Sequence, residues 1–360
     1  MSTSPAPQFL ADSPFRRLAR SLDALPNRFP PADDESDLRL LAKIFTPEEA
    51  ALAADLLPEM ETPAQIAARL GRAPQEIIPI LKEMSQKGLI SIGKTVEGRL
   101  GFSLMPFVVG IYEAQIGRLD AEMAQLYEAY YKKAFGSALR VKPQVHRVIP
   151  VGESIKNDME VQPFESVSGL IEQAQSWGVI DCICRVQKAL VGEACQHPVD
   201  VCMILSAKPD AFSAGGFVQP LTRDGAYQTL RRAAQAGLVH CVSNNQREIS
   251  YICNCCTCSC GVLRGMADLG IANVVAHSAF INRVDEALCI ACGDCISACP
   301  FGALTLENSA EVLEMRCAGC GVCVAVCPQG ALALERRPGE MVPPETEEDW
   351  RAARQAARAA

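Results

Sequence analysis

The stretch Cys289-Ile-Ala-Cys292-Gly-Asp-Cys295-Ile-Ser-Ala-Cys299-Pro300 returns with the same spacing as Cys317-Ala-Gly-Cys320-Gly-Val-Cys323-Val-Ala-Val-Cys327-Pro328. Both runs continue alike, with Gly-Ala-Leu at residues 302–304 and again at 330–332. Two-residue gaps let one tight loop bring three thiolates to a single metal cluster, and the proline fixes φ and helps to turn the chain away. The repeat therefore predicts two adjacent metal–sulfur sites in one small domain.

The paired runs resemble those of bacterial-type ferredoxins with two [4Fe-4S] clusters, over about residues 281–336. The resemblance implies that the fourth cysteine of each run ligates the other cluster. It gives the first cluster Cys289, Cys292, Cys295 and Cys327, and the second cluster Cys317, Cys320, Cys323 and Cys299. A pair of zinc knuckles is the alternative, but two complete four-cysteine runs that each end in proline favour iron–sulfur clusters.

Ten further cysteines lie upstream, from Cys182 to Cys260, so all 18 cysteines of the chain fall in its second half. Five of them occur within residues 253–260, which is too dense for small buried hydrophobes alone. The candidate ligands are Cys182, Cys184, Cys195, Cys202, Cys253, Cys255, Cys256 and Cys258. We predict at least one further [4Fe-4S] cluster in residues 182–260, with a closed zinc site as the competing interpretation.

The arrangement of Cys-x-Cys-Arg at 182–185 and Cys-Asn-Cys-Cys at 253–256 resembles that of poorly characterised multi-cluster ferredoxin-like proteins, over residues 165–335. The resemblance implies an additional iron–sulfur cluster and brings no substrate with it. The adjacent Cys255 and Cys256 cannot both face one metal freely, so they serve different sites or one is unliganded. His197 and His240 also lie close to cysteines, but a solvated or hydrogen-bonded imidazole is the simpler interpretation of each.

The N-terminal half contains the pattern of a winged helix. Thr62 and Pro63 open a helix that Gly71 ends, and Pro74 opens a second helix that Gly88 ends. Two short strands around a turn follow in residues 89–102. This order is similar to that of winged-helix DNA-binding domains, but the second helix has no arginine with which to read guanine. We therefore expect a docking role rather than DNA recognition.

The sequence predicts an α+β protein with a winged-helix-like helical domain, a mixed α/β cysteine-rich middle domain and a C-terminal ferredoxin-like dicluster domain. A helix is expected at residues 117–135 and another at 167–177. The predicted segments are a loose N-terminal arm at 1–36, the helical domain at 37–150, the cysteine-rich domain at 151–280, the ferredoxin domain at 281–336 and a tail at 337–360.

Composition excludes several classes of function. The chain has 360 residues and a net charge of −8, which argues against broad binding to nucleic acid or to anionic membranes. No apolar run is long enough to span a bilayer, and no export signal is evident. Many thiols without such a signal favour a cytoplasmic protein whose cysteines bind metal. We find no nucleophile motif and no dinucleotide-binding loop, so catalytic residues and organic cofactors are not assigned.

These features favour a low-potential electron-transfer protein, acting as a subunit or dedicated partner of a larger redox enzyme. A redox-responsive regulator built on the winged helix is one alternative. A reductase with an open-site iron–sulfur cluster is another, so whether the chain is itself an enzyme stays open.

Overall fold

The computed structural model describes residues 11–151, 154–155, 159, 161–213, 216–339 and 342–359. The chain forms two compact units, which we describe separately. The first contains the residues up to 138 together with 190–192, and the second contains 139–189 and the residues from 193 onward. Helices and antiparallel strands are combined in the chain, as the sequence predicts.

The first unit begins with helix α1 (Pro14–Ala24), where the sequence predicts a loose arm. Ser13 caps this helix by accepting a hydrogen bond from the amide of Arg16 at 3.2 Å. Leu18 and Leu22 lie one turn apart and are almost fully buried. The expectation of a loose arm is therefore wrong for this stretch, because an apolar stripe fixes the helix in the core. Residues 1–10 of the expected arm lie outside the described residues.

Four more helices and a hairpin follow: α2 (Ser36–Ile44), α3 (Pro47–Ala54), α4 (Pro63–Leu70), α5 (Pro74–Gln86), β1 (Ser91–Lys94) and β2 (Leu100–Ser103). Thr62 and Gln65 form a reciprocal capping box at the start of α4. The strands β1 and β2 pair in antiparallel register, and Glu61 pairs with Phe102 next to them. The hairpin thus lies beside the chain that enters α4.

The first unit continues through an irregular turn (Phe107–Ile111), a 3-10 turn (Glu113–Gln115), α6 (Ala121–Tyr130), a π-helical turn (Tyr131–Phe135) and α7 (Gly136–Leu139). The helix predicted at 117–135 begins later, because Asp120 accepts a hydrogen bond from the amide of Met123 at 2.8 Å and caps α6. Tyr112 and Tyr127 stack with ring centroids 3.9 Å apart. The aromatic face of α6 therefore belongs to the core.

The second unit contains a six-stranded antiparallel sheet in the order β3-β7-β8-β5-β4-β6. Its strands are β3 (His146–Ile149), β4 (Ser176–Ile180), β5 (Cys202–Ser206), β6 (Gln219–Leu221), β7 (Val239–Ser243) and β8 (Tyr251–Cys255). Around it lie a 3-10 turn (Pro163–Glu165), α8 (Val167–Gln173), α9 (Ile183–Leu190), α10 (Arg223–Gln235) and α11 (Gly265–Asp268).

Two boundaries in this unit differ from the sequence-based expectation. The helix expected at 167–177 ends at Gln173, because Trp177 lies in β4 and pairs with Leu205 of β5. Strand β3, which the sequence places at the end of the helical domain, pairs with β7 and belongs to the sheet. Directly after the domain boundary expected between residues 150 and 151, positions 152–153, 156–158 and 160 lie outside the described residues.

The C-terminal part of this unit repeats a loop, a short helix and a strand. Its elements are β9 (Phe280–Val284), α12 (Asp294–Ala298), β10 (Leu304–Leu306), β11 (Ala310–Val312), α13 (Val322–Ala325), β12 (Leu332–Arg336) and α14 (Glu347–Ala359). Strand β12 pairs with β9, and β10 pairs with β11. The expected tail contains α14, whose Trp350 is buried and donates a hydrogen bond from Nε1 to the carbonyl of Gln144 at 2.9 Å.

In the part of the chain that the structure describes, every helix is too short or too polar to cross a bilayer.

Candidate metal centres

One cavity in the C-terminal part is surrounded by four cysteines taken from both runs. They are Cys289, Cys292, Cys295 and Cys327. The apolar side chains of Ile290, Leu306 and Leu332 line the rest of the cavity. Cys295 is the second residue of α12, so this short helix fixes the position of the third thiol of the first run. We call this cavity the first site.

A second cavity is surrounded by the other four cysteines of the two runs. They are Cys299, Cys317, Cys320 and Cys323. The last cysteine of each run therefore lies with the first three cysteines of the other run. Cys295 and Cys323 pack in the same buried cluster, so this second site adjoins the first.

Amide groups point at the sulfurs in a pattern that repeats with the sequence. The amide of Ala303 donates to Cys299 Sγ and the amide of Ala331 donates to Cys327 Sγ, each at 3.3 Å. The amide of Ala310 donates to Cys289 Sγ at 3.5 Å. Such donors stabilise sulfur that carries negative charge, as thiolates bound to iron do. The donor sets and their surroundings fit two iron–sulfur clusters.

Two glycines of the second run, Gly319 and Gly321, allow the backbone to pass close to other segments of the same unit. A Cβ atom on Gly319 would lie 2.0 Å from the carbonyl oxygen of Phe280 and 2.3 Å from Ser278 Oγ. A Cβ atom on Gly321 would lie 2.1 Å from Ser154 Oγ. Both residues have positive φ, at +69° and +77°, which side chains other than hydrogen disfavour. This loop can therefore lie against Ser154, Ser278 and Phe280 only with glycine at both positions.

Residues 288–331 match the family of 4Fe-4S dicluster domains. The chain thus carries a 4Fe-4S dicluster domain in its C-terminal part, and the resemblance drawn from the paired runs is confirmed. Comparisons of the chain with curated proteins and with solved structures gave no match.

The two sites of the dicluster domain differ in their access to solvent. At the first site Cys292 is exposed and the neighbouring Ile290 retains 60% of its accessible surface. At the second site Cys317, Cys320 and Cys323 are all buried. Burial raises the pKa of the Cys320 thiol to about 12, and the nearby Cys241 adds to the increase. The second site thus lies deeper and beside a cysteine of the sheet.

Seven of the upstream cysteines gather at one end of the six-stranded sheet. They are Cys182, Cys184, Cys202, Cys241, Cys253, Cys255 and Cys260. Cys182 forms hydrogen bonds with Cys184 and Cys202, which lower its pKa well below the ordinary value. Cys184 also contacts Cys260. We call this set the seven-thiol group.

Strand β8 supplies two members of the seven-thiol group. Cys253 and Cys255 lie two residues apart, so they share one face of the strand. Cys255 forms hydrogen bonds with Cys241, Cys253 and Cys260, and these raise its pKa well above the ordinary value. Cys241 on β7 lies directly opposite Cys253 in the strand register.

The remaining upstream cysteines lie together with a histidine in a second, smaller set. Its members are Cys195, His197, Cys256 and Cys258, whose ligand atoms all lie within 4.8 Å of one another. Cys258 Sγ is 3.6 Å from His197 Nδ1. Burial raises the pKa of the Cys195 thiol, but hydrogen bonds from Ser259 and His197 outweigh this effect and lower the pKa to about 6. We call this set the Cys3His group.

The sequence-based candidates are therefore divided between two groups. The adjacent Cys255 and Cys256 serve different groups, one of the two possibilities that their adjacency leaves open. His197, for which the sequence favours an ordinary imidazole, lies with three thiols. Cys241 and Cys260 are absent from the sequence-based set of candidates, yet both lie in the seven-thiol group. The density of cysteines in residues 253–260 gives a signal that Cys260 is a candidate ligand, whereas only the strand register reveals Cys241.

Arg185 lies between the two upstream groups and is 3% exposed. Its Nη1 and Nη2 donate to the carbonyl of Asn254 at 3.0 and 3.1 Å, and Nη1 also donates to Cys256 Sγ at 3.7 Å. Burial lowers the pKa of this guanidinium, but the charges of Cys182 and Cys202 outweigh burial and raise it. The arginine thus supplies a fixed positive charge to both sets of thiols.

His240 of β7 and Asn254 of β8 lie opposite each other and form a buried hydrogen bond. His240 Nδ1 is hydrogen-bonded to Asn254 Oδ1, and Asn254 Nδ2 donates to the carbonyl of Val201. Burial lowers the pKa of His240, which favours the neutral imidazole. His240 therefore holds the strands in place, in agreement with the ordinary role that the sequence favours.

Proposed function

We propose that the chain is an electron-transfer protein that relays electrons through three iron–sulfur clusters to a larger redox enzyme, as its subunit or dedicated partner. The observation that carries the proposal is the series of cysteine groups in the second unit. Cys295 of the first site neighbours Cys323 of the second site, and Cys320 of the second site neighbours Cys241 of the seven-thiol group. Three sites, each adjacent to the next, provide a path from solvent into the protein.

We assign two [4Fe-4S] clusters to the dicluster domain, with the cysteines of the first and second sites as their ligands. Four thiols of the seven-thiol group would hold the third cluster. When bound, the clusters supply one-electron chemistry at potentials that the surrounding hydrogen bonds and burial set. The protein's own residues orient the thiolates, donate amide hydrogen bonds to them and exclude water from the second site.

The outer end of the path is at the first site. Cys292 is exposed there, and Leu288 and Ile290 place apolar surface beside it, at 49% and 60% exposure. A redox partner protein that packs on these side chains would bring its own centre close to the first cluster. The seven-thiol group, whose members are largely buried, is then the inner end of the path.

The direct test of this proposal is the spectrum of anaerobically purified protein. We expect broad charge-transfer absorption in the visible range that dithionite bleaches, together with EPR signals from the reduced clusters. Protein that contains iron but shows neither bleaching nor an EPR signal would contradict electron transfer through these sites.

Replacing Asn282 by leucine tests the assignment of the second cluster. Asn282 is 1% exposed, and its Nδ2 donates to Cys323 Sγ at 3.5 Å. A donor to a ligand sulfur stabilises the reduced, more negative cluster, so Asn282→Leu should shift the potential of the second cluster to a more negative value. A redox titration followed by EPR measures the shift, and the first cluster is the internal control. Unchanged potentials for both clusters would show that Asn282 faces no cluster.

We further propose that residues 61–103 form a winged-helix-like unit that docks on protein rather than on DNA. Its support is the order of α4, α5 and the β1–β2 hairpin, with Glu61 paired beside the hairpin. Three cations of this unit form ion pairs: Arg69 with Glu61, Arg72 with Glu76, and Lys87 with Glu49 and Glu83. A cation that is already paired with a carboxylate gains little free energy from binding a DNA phosphate.

An anaerobic binding assay distinguishes docking from the regulator alternative. We expect no salt-sensitive retention of genomic DNA fragments by either the oxidised or the reduced protein. A reproducible DNA site whose affinity falls steeply with salt would favour a redox-responsive regulator instead. A reductase with an open cluster remains the second alternative, supported by the surplus of thiols in the seven-thiol group. Turnover of a candidate substrate by the isolated chain with reduced methyl viologen would favour it.

We also propose a cytoplasmic location, which the number of cysteines assigned to metal binding supports. All eighteen cysteines lie in the described residues and are free of disulfides. Such a set of thiols persists in a reducing compartment.

A further inference from the structure

The Cys3His group has the dimensions of a site for one metal ion. Any two ligand atoms of a single zinc ion lie within about 4.6 Å of each other, because each bond is at most about 2.3 Å long. The four ligand atoms of the Cys3His group lie within 4.8 Å of one another. A [4Fe-4S] cubane binds each thiolate at a different iron corner and spreads its ligands further apart. All four ligand atoms of the Cys3His group can thus surround a single metal ion.

The ligand atoms come from two loops that the sequence separates widely. Cys195 and His197 lie between α9 and β5, whereas Cys256 and Cys258 follow β8. His197 Nδ1 faces Cys258 Sγ at 3.6 Å, so the ring nitrogen points into the group. Three thiolates and one imidazole are a ligand set typical of structural zinc sites.

Neighbouring side chains support a charged metal site at this place. Ser259 Oγ donates to Cys195 Sγ at 3.4 Å, and Arg185 Nη1 donates to Cys256 Sγ at 3.7 Å. A zinc ion with three thiolates and one neutral imidazole carries a net charge of −1, which the buried Arg185 offsets. Hydrogen bonds of this kind orient the ligands of a metal and are part of the site.

We propose that Cys195, His197, Cys256 and Cys258 bind one zinc ion that joins the loop before β5 to the loop after β8. When zinc binds, those of the three thiols that are still protonated lose their protons to solvent. Zinc binds such ligands more tightly than ferrous iron does, and it has no redox chemistry. The site therefore stabilises the loops beside the seven-thiol group without taking part in electron transfer.

Metal analysis of the full chain, purified anaerobically, tests the proposal. We expect about one zinc per chain in addition to iron. His197→Gln and Cys258→Ser should each reduce zinc to near none and leave the iron content unchanged. The matched control is His277→Gln, which removes an imidazole outside the group and should keep the zinc.

A third variant keeps the test valid if these two fold poorly. His197→Cys preserves four ligands, so it should retain the metal. After exchange with cobalt it should show stronger sulfur-to-cobalt charge transfer than the original chain.

Three results would overturn the proposal: no zinc in the original chain, zinc retained in both His197→Gln and Cys258→Ser, or loss of iron in step with zinc. The iron spectra test the electron relay separately, so failure of one proposal is distinguishable from failure of the other.

Discussion

Gly319→Ala should strongly destabilise the protein and release iron from the second site. The new Cβ atom would lie 2.0 Å from the carbonyl oxygen of Phe280, which is backbone that cannot turn aside. The alanine would also need a φ of +69°, which by itself costs on the order of 1 kcal/mol or more. Anaerobic denaturant unfolding measures the loss of stability, and iron analysis measures the loss of the cluster.

Gly330→Ala is the matched control for this change. Gly330 lies in the same domain with a φ of +62°, but nothing lies within 4 Å of its added Cβ. It should therefore show the cost of the backbone conformation alone, and its iron content should stay unchanged. Equal destabilisation by the two alanines would mean that the close approach of Gly319 to Phe280 does not hold the second site.

Arg185→Ala should produce the second large effect, a loss of stability of about 3–5 kcal/mol, typical of removing one partner from a buried charge pair. The change leaves the carbonyl of Asn254 without its two donors, and it leaves Cys182 and Cys202 without the positive charge beside them. Iron bound by the seven-thiol group should fall as well. Anaerobic unfolding and metal analysis check both outcomes.

Arg223→Ala provides the comparison for Arg185. Arg223 forms an exposed ion pair with Glu172 at 3.1 Å, so its removal should cost less than about 1 kcal/mol. Arg185→Lys keeps the charge but loses the planar pair of donors, and it should give an intermediate result. If Arg185→Ala were no worse than Arg223→Ala, the arginine would have no role in holding the upstream thiols.

The dicluster domain is predictable from sequence because its ligand pattern is local. Three of the four thiols at each site come from a run of seven residues, such as 289–295, and covalent geometry brings them together. The capped helices are predictable for the same reason, since Thr62 and Gln65 act within one turn. The sequence does not place Leu18 and Leu22 in the core, because the surrounding prolines and charges suggest a loose arm.

The upstream groups depend on contacts between distant parts of the chain. Cys241 joins the seven-thiol group only because β7 pairs with β8 in the register that sets it opposite Cys253. His197 joins the Cys3His group because the loop before β5 lies against the loop after β8. The spacing of residues in the sequence does not predict this contact between loops. The sequence therefore indicates that these cysteines bind metal, whereas the division into two groups requires the fold.

Iron analysis of the anaerobically purified chain, combined with EPR of the dithionite-reduced protein, decides whether the chain holds a relay of three clusters. We expect about twelve irons per chain, four for each of three [4Fe-4S] clusters, and EPR signals from interacting reduced clusters. The Cys3His group should add no iron to this number. A content of about eight irons, with EPR from the dicluster domain alone, would contradict the claim and leave the seven-thiol group without a cluster.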